Sequence, residues 1–392
     1  MPVYDDKKAK DGTKRYYFEV SYKNEKGKYS KIKKRGFTSS TLAKQAMRDV
    51  ESALNKGNYI KPVKLTYREF MEKWMGIKQT NVKKNTYGTY KGLIDRHILP
   101  EIGHVEVAKL NAMLIEEFYA KLIRAGKLSD GNVQKIHTII KDSLNKAVVW
   151  DLILKNPAAQ VERPKVSKKE IKVWENPEID IFLEAAKVYR YRTAFLLALT
   201  TGMRQGEILG LRWKDIDFKK STLSIVQTLS HDGKELSIGA KTTAGNRVIA
   251  IDRNTLSELS KHRAKQKEEM MANRNVYTDL DLVFCRTLGT QLPPRDLSKC
   301  FERAMFKAKV KKIRFHDMRH THATLLLLQN VNPKIVSERL GHANVRITLD
   351  TYSHLLPNMQ ADTAEAFGKI FYGVLDDTND NKDSGANIGA KL

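Results

Sequence analysis

The chain has 392 residues, of which 70 are Lys or Arg and 45 are Asp or Glu, giving a formal net charge of +25. Hydrophobic residues make up 41% of the sequence, which excludes a disordered chain, and at about 100–200 residues per domain the length predicts two to four domains. No apolar run approaches the ~18 residues of a membrane span, and Cys285 and Cys300 alone cannot build a disulfide framework or a zinc finger. With no apolar leader at its start, the protein is expected to be cytoplasmic and to bind no membrane.

The positive charge is spread along the whole sequence. Residues 1–60 carry 15 Lys or Arg against 7 Asp or Glu, and residues 65–160 carry 15 against 10. A protein that lies along several turns of nucleic acid shows this pattern, because each phosphate that it neutralises releases counterions. A basic protein of the ribosomal or chaperone type would share the pattern, so the charge by itself indicates only a polyanionic partner.

Residues 14–37 have the pattern of a β-hairpin. Aromatic and apolar residues alternate with polar ones over 16–23, and after a turn a lysine-rich strand returns to Phe37. A helix that begins near Thr41 is expected to cover one face of this small sheet. Packing on that helix does not explain the basic residues of the returning strand. We predict that they contact DNA: Lys31, Lys33, Lys34 and Arg35.

Residues 65–160 predict a helical domain. Thr66 and Glu69 have the spacing of a capping box at the start of its first helix. The next helix is expected to end at Pro100, because proline cannot continue a regular helix. Apolar residues recur at helical spacing in this second helix, over 85–98, and in two later stretches, 111–124 and 129–150.

A basic linker is predicted over 161–173. Its positive residues are further candidates for DNA contact: Arg163, Lys165, Lys168 and Lys169. Beyond it, helical stretches alternate with two strand-like segments, 223–228 and 247–251, which flank a glycine-containing turn around Lys241. The polar stretch 376–392 predicts a disordered tail.

Several polar residues of this last region suit the chemistry of a phosphodiester. Its transition state needs cations for the nonbridging oxygens, an acid for the leaving oxygen and a nucleophile. Arg204 and Arg319 suit the first task, because the guanidinium fork matches two phosphate oxygens and stays charged. Lys241 at a hairpin tip suits the second, and Tyr352 suits the third if a base or a positive field assists its deprotonation. His316 lies three residues before Arg319, on the same helical face.

Each of these residues has an ordinary alternative explanation when it is taken singly. Arg204 is more often a helix-end ion pair with Glu207 than a catalytic group, and His342 is more often a helix C-terminal cation. The histidines 316, 320 and 322 could form a metal site, but a third acidic or cysteine ligand is missing nearby. We therefore predict no metal and regard His320 and His322 as supporting or packing groups.

Five motifs occur in a fixed order between residues 204 and 354. They are Arg204-x-x-Glu207, Lys241 between two strands, His316-x-x-Arg319, Leu340-Gly341-His342 and Thr351-Tyr352-Ser353-His354. In this order they resemble the tyrosine recombinases, specifically the integrases of phages and integrative conjugative elements. Any one of these motifs is weak, but their joint register makes the resemblance strong.

The resemblance implies an α+β fold of the tyrosine recombinase and type IB topoisomerase kind. It implies a small N-terminal three-stranded sheet plus helix, a helical core-binding domain, and a mainly α catalytic domain with a small antiparallel sheet. The expected boundaries are 1–60 for an arm-type DNA-binding domain, 65–160 for the core-binding domain, 161–173 for the linker, 174–375 for the catalytic domain and 376–392 for the tail.

The resemblance also implies a role for each site residue. Tyr352 would attack the scissile phosphate to give a 3′-phosphotyrosyl bond and a free 5′-hydroxyl. Arg204, Arg319 and His342 would hold the phosphate oxygens, Lys241 would protonate the leaving oxygen, and His316 would accept the tyrosine proton. Glu207 would support the site by holding a neighbour such as Arg204. Because the bond energy is kept in the phosphotyrosine, no metal, ATP or other cofactor is expected.

The implied partners are double-stranded DNA at core and arm attachment sites and three further copies of the chain, because a Holliday junction is resolved by four protomers. A small directionality factor (an excisionase) and a host DNA-bending protein are also expected. A Xer-type resolvase, a type IB topoisomerase-like enzyme and a non-catalytic DNA-architectural protein on the same fold are the alternatives. The basic residues 1–60 favour the integrase, because a minimal resolvase would begin near residue 65.

Overall fold

The computed structural model describes residues 2–6, 14–23, 28–55, 59, 64–165, 171–238, 246–352 and 359–372. The chain forms two compact units, Met1–Lys169 and Glu170–Leu392. In the described ranges, no helix is both long and apolar enough to cross a bilayer.

The first unit begins with a small antiparallel sheet that is covered on one face by a helix. The strands are β1 (Val3–Asp5), β2 (Tyr16–Lys23) and β3 (Tyr29–Phe37), paired in the order β1-β2-β3, and the helix is α1 (Ser40–Asn55). Phe18, Val20 and Ile32 of the sheet form a core with Met47 and Val50 of the helix, because these residues alternate along the strands and repeat at helical spacing. The predicted hairpin and covering helix are confirmed.

The rest of the first unit is helical. Its elements are α2 (Tyr67–Asn81), α3 (Lys84–Leu93), α4 (Leu99–Ile102), α5 (Ala112–Ala125) and α6 (Asp130–Val149). The capping box at the start of α2 is confirmed: the Glu69 N–H donates to the Thr66 hydroxyl at 3.3 Å, and the Thr66 N–H donates to the Glu69 carboxylate at 2.8 Å. Apolar side chains such as Trp74, Ile98 and Ile140 form the shared core.

The prediction that a helix ends at Pro100 is wrong. The chain leaves α3 through a π-helical turn, Ile94–Ile98, and Pro100 lies in the first turn of α4. In the wide turn the Leu99 N–H donates to the Ile94 carbonyl, five residues back, so the regular hydrogen-bond ladder is already interrupted before the proline. Proline lacks an N–H, but the first turn of a helix does not require one at that position.

The second unit is mainly helical. Its helices are α7 (Asn176–Ala185), α8 (Arg192–Thr201), α9 (Gln205–Gly210), α10 (Arg253–Ala272), α11 (Pro294–Ala308), α12 (Asp317–Leu328), α13 (Pro333–Leu340), α14 (Val345–Tyr352) and α15 (Met359–Tyr372). Its strands are β4 (Ile216–Asp217), β5 (Thr222–Ile225), β6 (Gln227–Leu229), β7 (Leu236–Ile238) and β8 (Arg247–Ala250). The described strands pair antiparallel in two groups, β4-β5-β8 and β6-β7.

The predicted strand 223–228 is two strands. Residues up to Ile225 pair with β8, whereas Gln227 and the two residues after it pair with β7 in a separate hairpin. The Gln227 side chain is buried and donates to the Gly210 carbonyl at 2.8 Å, which ties the second strand to the end of α9. The sequence does not reveal this change of partner, because the alternation of buried residues at every second position runs through both strands without interruption.

Two apolar clusters of the second unit position the residues discussed below. The larger one is built around the aromatic side chains of Trp174, Phe182, Phe195 and Phe301, with ring centroids 4.7–5.8 Å apart. The smaller one, called here the α12–α14 cluster, consists of Ala323, Leu327, Val336, Leu340 and Tyr352. A tyrosine hydroxyl is therefore anchored at the edge of a packed core.

Candidate active site

Arg204 is directed by the glycine turn between α8 and α9. Gly202 ends α8 in the left-handed conformation (φ +66°), and a Cβ there would lie 2.7 Å from the side chains of His322 and Leu340. Arg204 follows at the start of α9, and its Nη1 donates to Glu207 Oε1 at 2.7 Å. The Arg204 side chain remains 41% exposed. The predicted contact between Glu207 and Arg204 is confirmed.

Glu207 also holds a second arginine. Arg247, the first residue of β8, donates from Nη2 to Glu207 Oε2 at 2.8 Å and from Nη1 to Oε1 at 3.2 Å. Its Nε donates to the carbonyl of Arg339 at 2.7 Å. Burial by itself would raise the pKa of Glu207, but the hydrogen bond and charge of Arg247, together with Arg204, lower it below the ordinary value. The buried carboxylate is therefore ionised and shared by two guanidinium groups.

Arg319 lies in the first turn of α12 and is 3% exposed. Its Nη1 donates to the Gly202 carbonyl at 2.8 Å, whereas its buried Nη2 has no hydrogen-bond partner among the described residues. Burial and the charges of Arg204 and Arg247 lower the pKa of Arg319 to about 9, while Glu207 opposes the shift. A buried donor beside a cluster of cations is suited to an anion, because an unpaired buried donor is costly.

Tyr352 is the last residue of α14 and is 1% exposed. Within the described part of the chain, the hydroxyl of Tyr352 shares a hydrogen bond with His320: Nδ1 and Oη are 2.7 Å apart. His316 precedes α12 by one residue, and its ring meets the ring of His320 edge to face, with centroids 5.1 Å apart. His316 was predicted to accept the tyrosine proton; in the described ranges its ring contacts His320, and His320 contacts Tyr352.

The imidazole of His320 beside Tyr352 and that of His316 next to it are neutral at pH 7. Part of the His316 side chain is exposed, but the surrounding protein still removes much of its hydration. This desolvation, together with the neighbouring His320 and the charge of Arg319, lowers the pKa of His316 to about 4. Burial lowers the pKa of His320, and the carboxylate of Asp317 opposes that shift. Burial raises the pKa of Tyr352 to about 12, against the charge of Arg319. The phenol therefore keeps its proton, and a neutral imidazole lies next to it.

His342 completes the group. Gly341 ends α13 in the left-handed conformation (φ +70°), and its carbonyl accepts a hydrogen bond from Arg204 Nη2 at 3.3 Å. The next residue, His342, has its Nδ1 2.8 Å from the hydroxyl of Thr348. Burial and the charges of Arg319 and Arg204 lower the pKa of His342 to about 4. Three chain segments that are far apart in sequence thus bring these side chains together.

Comparisons with known proteins identify the family. The phage integrase family matches residues 172–359, a phage integrase N-terminal SAM-like domain matches residues 66–123, and an arm DNA-binding domain matches residues 5–54. A XerC-like tyrosine recombinase of Caldanaerobacter subterraneus subsp. tengcongensis is 30% identical over 328 residues, which cover 78% of this chain and 84% of the relative. This chain belongs to the tyrosine recombinase family. Members of the family cleave and rejoin DNA.

Other relatives of this recombinase come from mobile elements. The ICEBs1 integrase of Bacillus subtilis is 28% identical over 72% of this chain and 77% of its own length. Among solved structures, a fragment of the Tn1549 transposon integrase with circular intermediate DNA matches with a TM-score of 0.65 at 21% identity, over 77% of this chain and 99% of that one. A lambda integrase tetramer bound to a Holliday junction matches with a TM-score of 0.54 at 19% identity, over 88% and 96%. The predicted fold class is confirmed.

His322 has a structural role in this recombinase. Its Nδ1 donates to the Leu199 carbonyl at 2.8 Å, and its Nε2 accepts from Arg339 Nε at 3.1 Å. Both ring nitrogens are therefore occupied by protein groups. The ranges that the structure describes contain no group of three or more His, Cys, Asp or Glu side chains placed to share a metal ion.

The open face of the N-terminal sheet carries three of the four predicted arm residues. Lys31 lies opposite Ser21 and Lys33 opposite Glu19, and Lys33 and Arg35 lie over the ring of Tyr17, at 4.2 and 5.2 Å from its centroid. Lys34 is also exposed, but its register partner is the core residue Phe18, and it lies two residues after the core residue Ile32, on the same side of the strand. Lys34 therefore belongs to the side of the sheet that faces α1.

The remaining predicted residues are partly outside the described ranges. Arg163 and Lys165 are described and exposed, and the carbonyl of the intervening Pro164 accepts from the Gln134 side chain at 2.7 Å. Lys168, Lys169 and Lys241 lie outside the described residues. The five motifs do not include Arg247, whose signal in the sequence is a charged residue at the start of an otherwise apolar strand. His320 was predicted to be a supporting or packing group, and its contact with Tyr352 was not predicted.

Proposed function

We propose that this recombinase integrates and excises a mobile element by cleaving and rejoining DNA at specific sites through a 3′-phosphotyrosyl bond to Tyr352. The buried Nη2 of Arg319 supports the proposal most directly: it has no hydrogen-bond partner among the residues that the structure describes, and the guanidinium interacts electrostatically with Arg204, His342 and Tyr352. A nonbridging oxygen of a phosphodiester satisfies this donor, because charge-assisted bonds from arginine to phosphate are strong and geometrically specific.

The proposed reaction exchanges one phosphoester for another. The Tyr352 oxygen bonds to phosphorus, the bond from phosphorus to the 5′-oxygen breaks, and Lys241 supplies the proton for that leaving oxygen. Arg204, Arg319 and His342 hold the nonbridging oxygens, and Glu207 fixes the position of Arg204. A 5′-hydroxyl from the partner strand then reverses the steps. Because the ester is never hydrolysed, the reaction requires no ATP, and the cations supply the charge stabilisation without a metal.

The test is the covalent adduct on a DNA site that carries a nick beside the scissile phosphate, so that the released 5′-fragment diffuses away. The wild type is expected to form a denaturant-resistant adduct in the presence of EDTA, and Tyr352→Phe is expected to bind the DNA but to form none. Tyr372, a tyrosine of α15, provides the matched control Tyr372→Phe, which should retain the adduct. An adduct with Tyr352→Phe, or loss of cleavage in EDTA, would contradict the proposal.

The role of Lys241 can be tested by chemistry rather than by geometry. Lys241→Ala should cleave ordinary DNA slowly but should recover on a substrate in which the leaving 5′-oxygen is replaced by sulfur, because a thiolate leaves without a proton. Lys234→Ala, an exposed lysine between β6 and β7, is the control. If Lys241→Ala is equally slow on both substrates, this lysine is not the general acid.

We further propose that residues 1–60 bind arm sites, 65–160 bind core sites, 161–173 form a linker that contacts DNA, 174–375 form the catalytic domain, and 376–392 form a tail. The family matches at 5–54, 66–123 and 172–359 support the order of the arm-binding, core-binding and catalytic domains, and residues 376–392 lie outside the described residues. Four protomers assemble on two DNA sites, and a small directionality factor and a host DNA-bending protein assist. The lambda integrase tetramer on a Holliday junction supports the tetramer by analogy.

A Xer-type resolvase is the second candidate, because the 30% identical relative is XerC-like. The two candidates differ in their need for the N-terminal sheet. Deletion of residues 1–60 should spare cleavage of an isolated core site and abolish recombination between attachment sites that carry arm sequences. Unchanged recombination after this deletion would favour the resolvase.

A further inference from the structure

We propose that His320 is a further catalytic residue, which accepts the phenolic proton of Tyr352 when this side chain attacks the scissile phosphate. The inference rests on the proposed function and assigns to His320 the role that the motif pattern assigned to His316. It starts from the 2.7 Å contact between His320 Nδ1 and Tyr352 Oη.

The contact is fixed from both sides. Tyr352 belongs to the α12–α14 cluster, in which its ring is buried together with apolar side chains. His320 lies one helical turn after His316, and the ring of His316 packs edge to face against it with an interplanar angle of 87°. The His320 and Tyr352 ring centroids are 5.7 Å apart. At 2.7 Å, the two atoms are already at the distance that a proton transfer between them requires.

The step balances without a further reactant. The Oη–H bond of Tyr352 breaks as Oη bonds to phosphorus, and the proton moves to the lone pair on Nδ1 of His320. In the rejoining step the same proton returns to Oη as the phosphorus bond to tyrosine breaks. The imidazole must therefore be neutral before cleavage and tolerate a positive charge after it.

The charged groups around His320 fit both states. From its own segment, His320 is flanked by Asp317 and Arg319, with Arg314 just before the helix, and the carboxylate of Asp317 favours the imidazolium while the two arginines oppose it. His316 is beside it on the same helix, and His342, which follows α13, interacts with it electrostatically. Tyr352 faces it from α14. Burial keeps the imidazole neutral before the reaction.

His316 has a different relation to the nucleophile. It is exposed, and its described ring contact is with His320. We assign His316 the role of a positioning residue that limits the rotation of the His320 ring. Removal of His316 should therefore weaken the reaction through orientation, whereas removal of His320 should change how the reaction depends on pH.

The experiment compares His320→Asn with His316→Asn in the full-length protein on the nicked substrate, with single-turnover rates measured from pH 6 to pH 9. Asparagine places a hydrogen-bonding atom near the position of Nδ1 but cannot take up a proton. We expect His320→Asn to lower the rate at pH 7 by about 10²–10⁴-fold, the usual contribution of general base catalysis. Its rate should then rise about tenfold per pH unit, because the phenolate fraction rises by that factor below the pKa of tyrosine.

The wild type and His316→Asn should instead be nearly flat between pH 7 and pH 9. A second variant, His320→Ala, should recover part of its rate when imidazole is added, because the small base can enter the space that the side chain leaves. The proposal would be overturned if the rate of His320→Asn were independent of pH and within threefold of the wild-type rate. It would also be overturned if the tenfold rise per pH unit appeared in His316→Asn instead. Failure of the rescue together with a flat profile would also overturn it.

Failure of the inference and failure of the proposed function give different results. If the wild type forms no adduct on the nicked substrate, or if Tyr352→Phe forms one, the proposed function itself fails. If the wild type forms the adduct at Tyr352 but His320→Asn keeps a flat profile, only the role of His320 fails. DNA binding and thermal unfolding of both asparagine variants show whether the fold is retained.

Discussion

At the scale of single residues, the site is built around one buried carboxylate and one buried, incompletely satisfied guanidinium. Glu207 holds Arg204 and Arg247, and the buried Nη2 of Arg319 forms no hydrogen bond within the described ranges. Four members of the site, Arg204, Arg319, His342 and Tyr352, could be predicted because their spacing follows a family pattern. The contact of His320 with Tyr352 could not be predicted, because it joins residues 32 positions apart and depends on how α12 packs against α14.

Arg319→Lys is expected to bind DNA with nearly unchanged affinity and to cleave it about 10²–10³-fold more slowly. Lysine keeps the charge but cannot donate to the Gly202 carbonyl and to a phosphate oxygen in the same plane. The control is Arg314→Lys, an exposed arginine that pairs with Asp317 near the start of the same helix. Adduct formation on the nicked substrate measures both variants, and equal rates for both would contradict the anion site.

Glu207→Ala is expected to lower the free energy of unfolding by about 3–5 kcal/mol, because Arg247 would be left buried without its carboxylate. Glu338→Ala, which removes an exposed ion pair with Lys334, should cost about 0.5 kcal/mol or less. Denaturant unfolding of the two variants provides the comparison. Since the folded pKa of Glu207 is lowered, its contribution is present at neutral pH and is lost as the pH falls through that folded pKa. A destabilisation that persisted unchanged at pH 3 would contradict this account.

At the scale of elements, most helices and the first hairpin follow from periodicity and caps, whereas the breaks between elements do not. Pro100 was expected to end a helix, but a π-helical turn precedes it, and Pro100 lies in the first turn of α4, where its N–H is not needed. The segment 223–228 was expected to be one strand, but its two halves pair with different partners. Both errors arise because the local sequence determines the propensity for helix or strand, whereas contacts with distant residues determine where each helix or strand ends.

Gly202 ends α8 and directs Arg204 into the site, so its substitution tests this turn. Gly202→Ala should be more destabilising than Gly126→Ala, although both glycines have similar φ values, +66° and +61°. A Cβ at Gly126 meets open space, whereas at Gly202 it meets the His322 ring, which is held by hydrogen bonds to Leu199 and Arg339. Unfolding midpoints check the prediction. An equal shift for both variants would show that the left-handed conformation alone sets the cost.

At the scale of the whole molecule, the net charge of +25 is divided between binding surfaces and a reaction centre. Some basic residues lie on an open sheet face, while Arg204, Arg247 and Arg319 meet at one site in the second unit. The sequence predicted a polyanionic partner from the charge and the family from the motif order. It could not predict that Phe37 packs against the core residue Phe18, because the bulge between Tyr16 and Phe18 adds one residue to β3 after Lys34 and so changes the side on which Phe37 lies.

Lys31→Ala should weaken arm-site binding more than Lys34→Ala does. Lys31 lies on the open face opposite Ser21, and Lys34 lies on the helix side opposite Phe18. If Lys31 contacts one phosphate, its loss should reduce the slope of log K against log salt by about 0.9. Binding titrations at several salt concentrations measure the slope, and equal effects of the two substitutions would contradict the assignment of the open face to DNA.

In the proposed reaction Tyr352 becomes covalently bonded to the 3′-phosphate of cleaved DNA. The most direct measurement is mass spectrometry of the adduct trapped on a nicked attachment site, after digestion with nuclease and trypsin. The tryptic peptide 347–369 contains Tyr352 as its single tyrosine, so a modified tyrosine in this peptide is unambiguous. We predict a nucleotide phosphate on this peptide, and it should be absent in Tyr352→Phe. A modification on any other peptide, or DNA cleavage that leaves every tyrosine unmodified, would contradict the account.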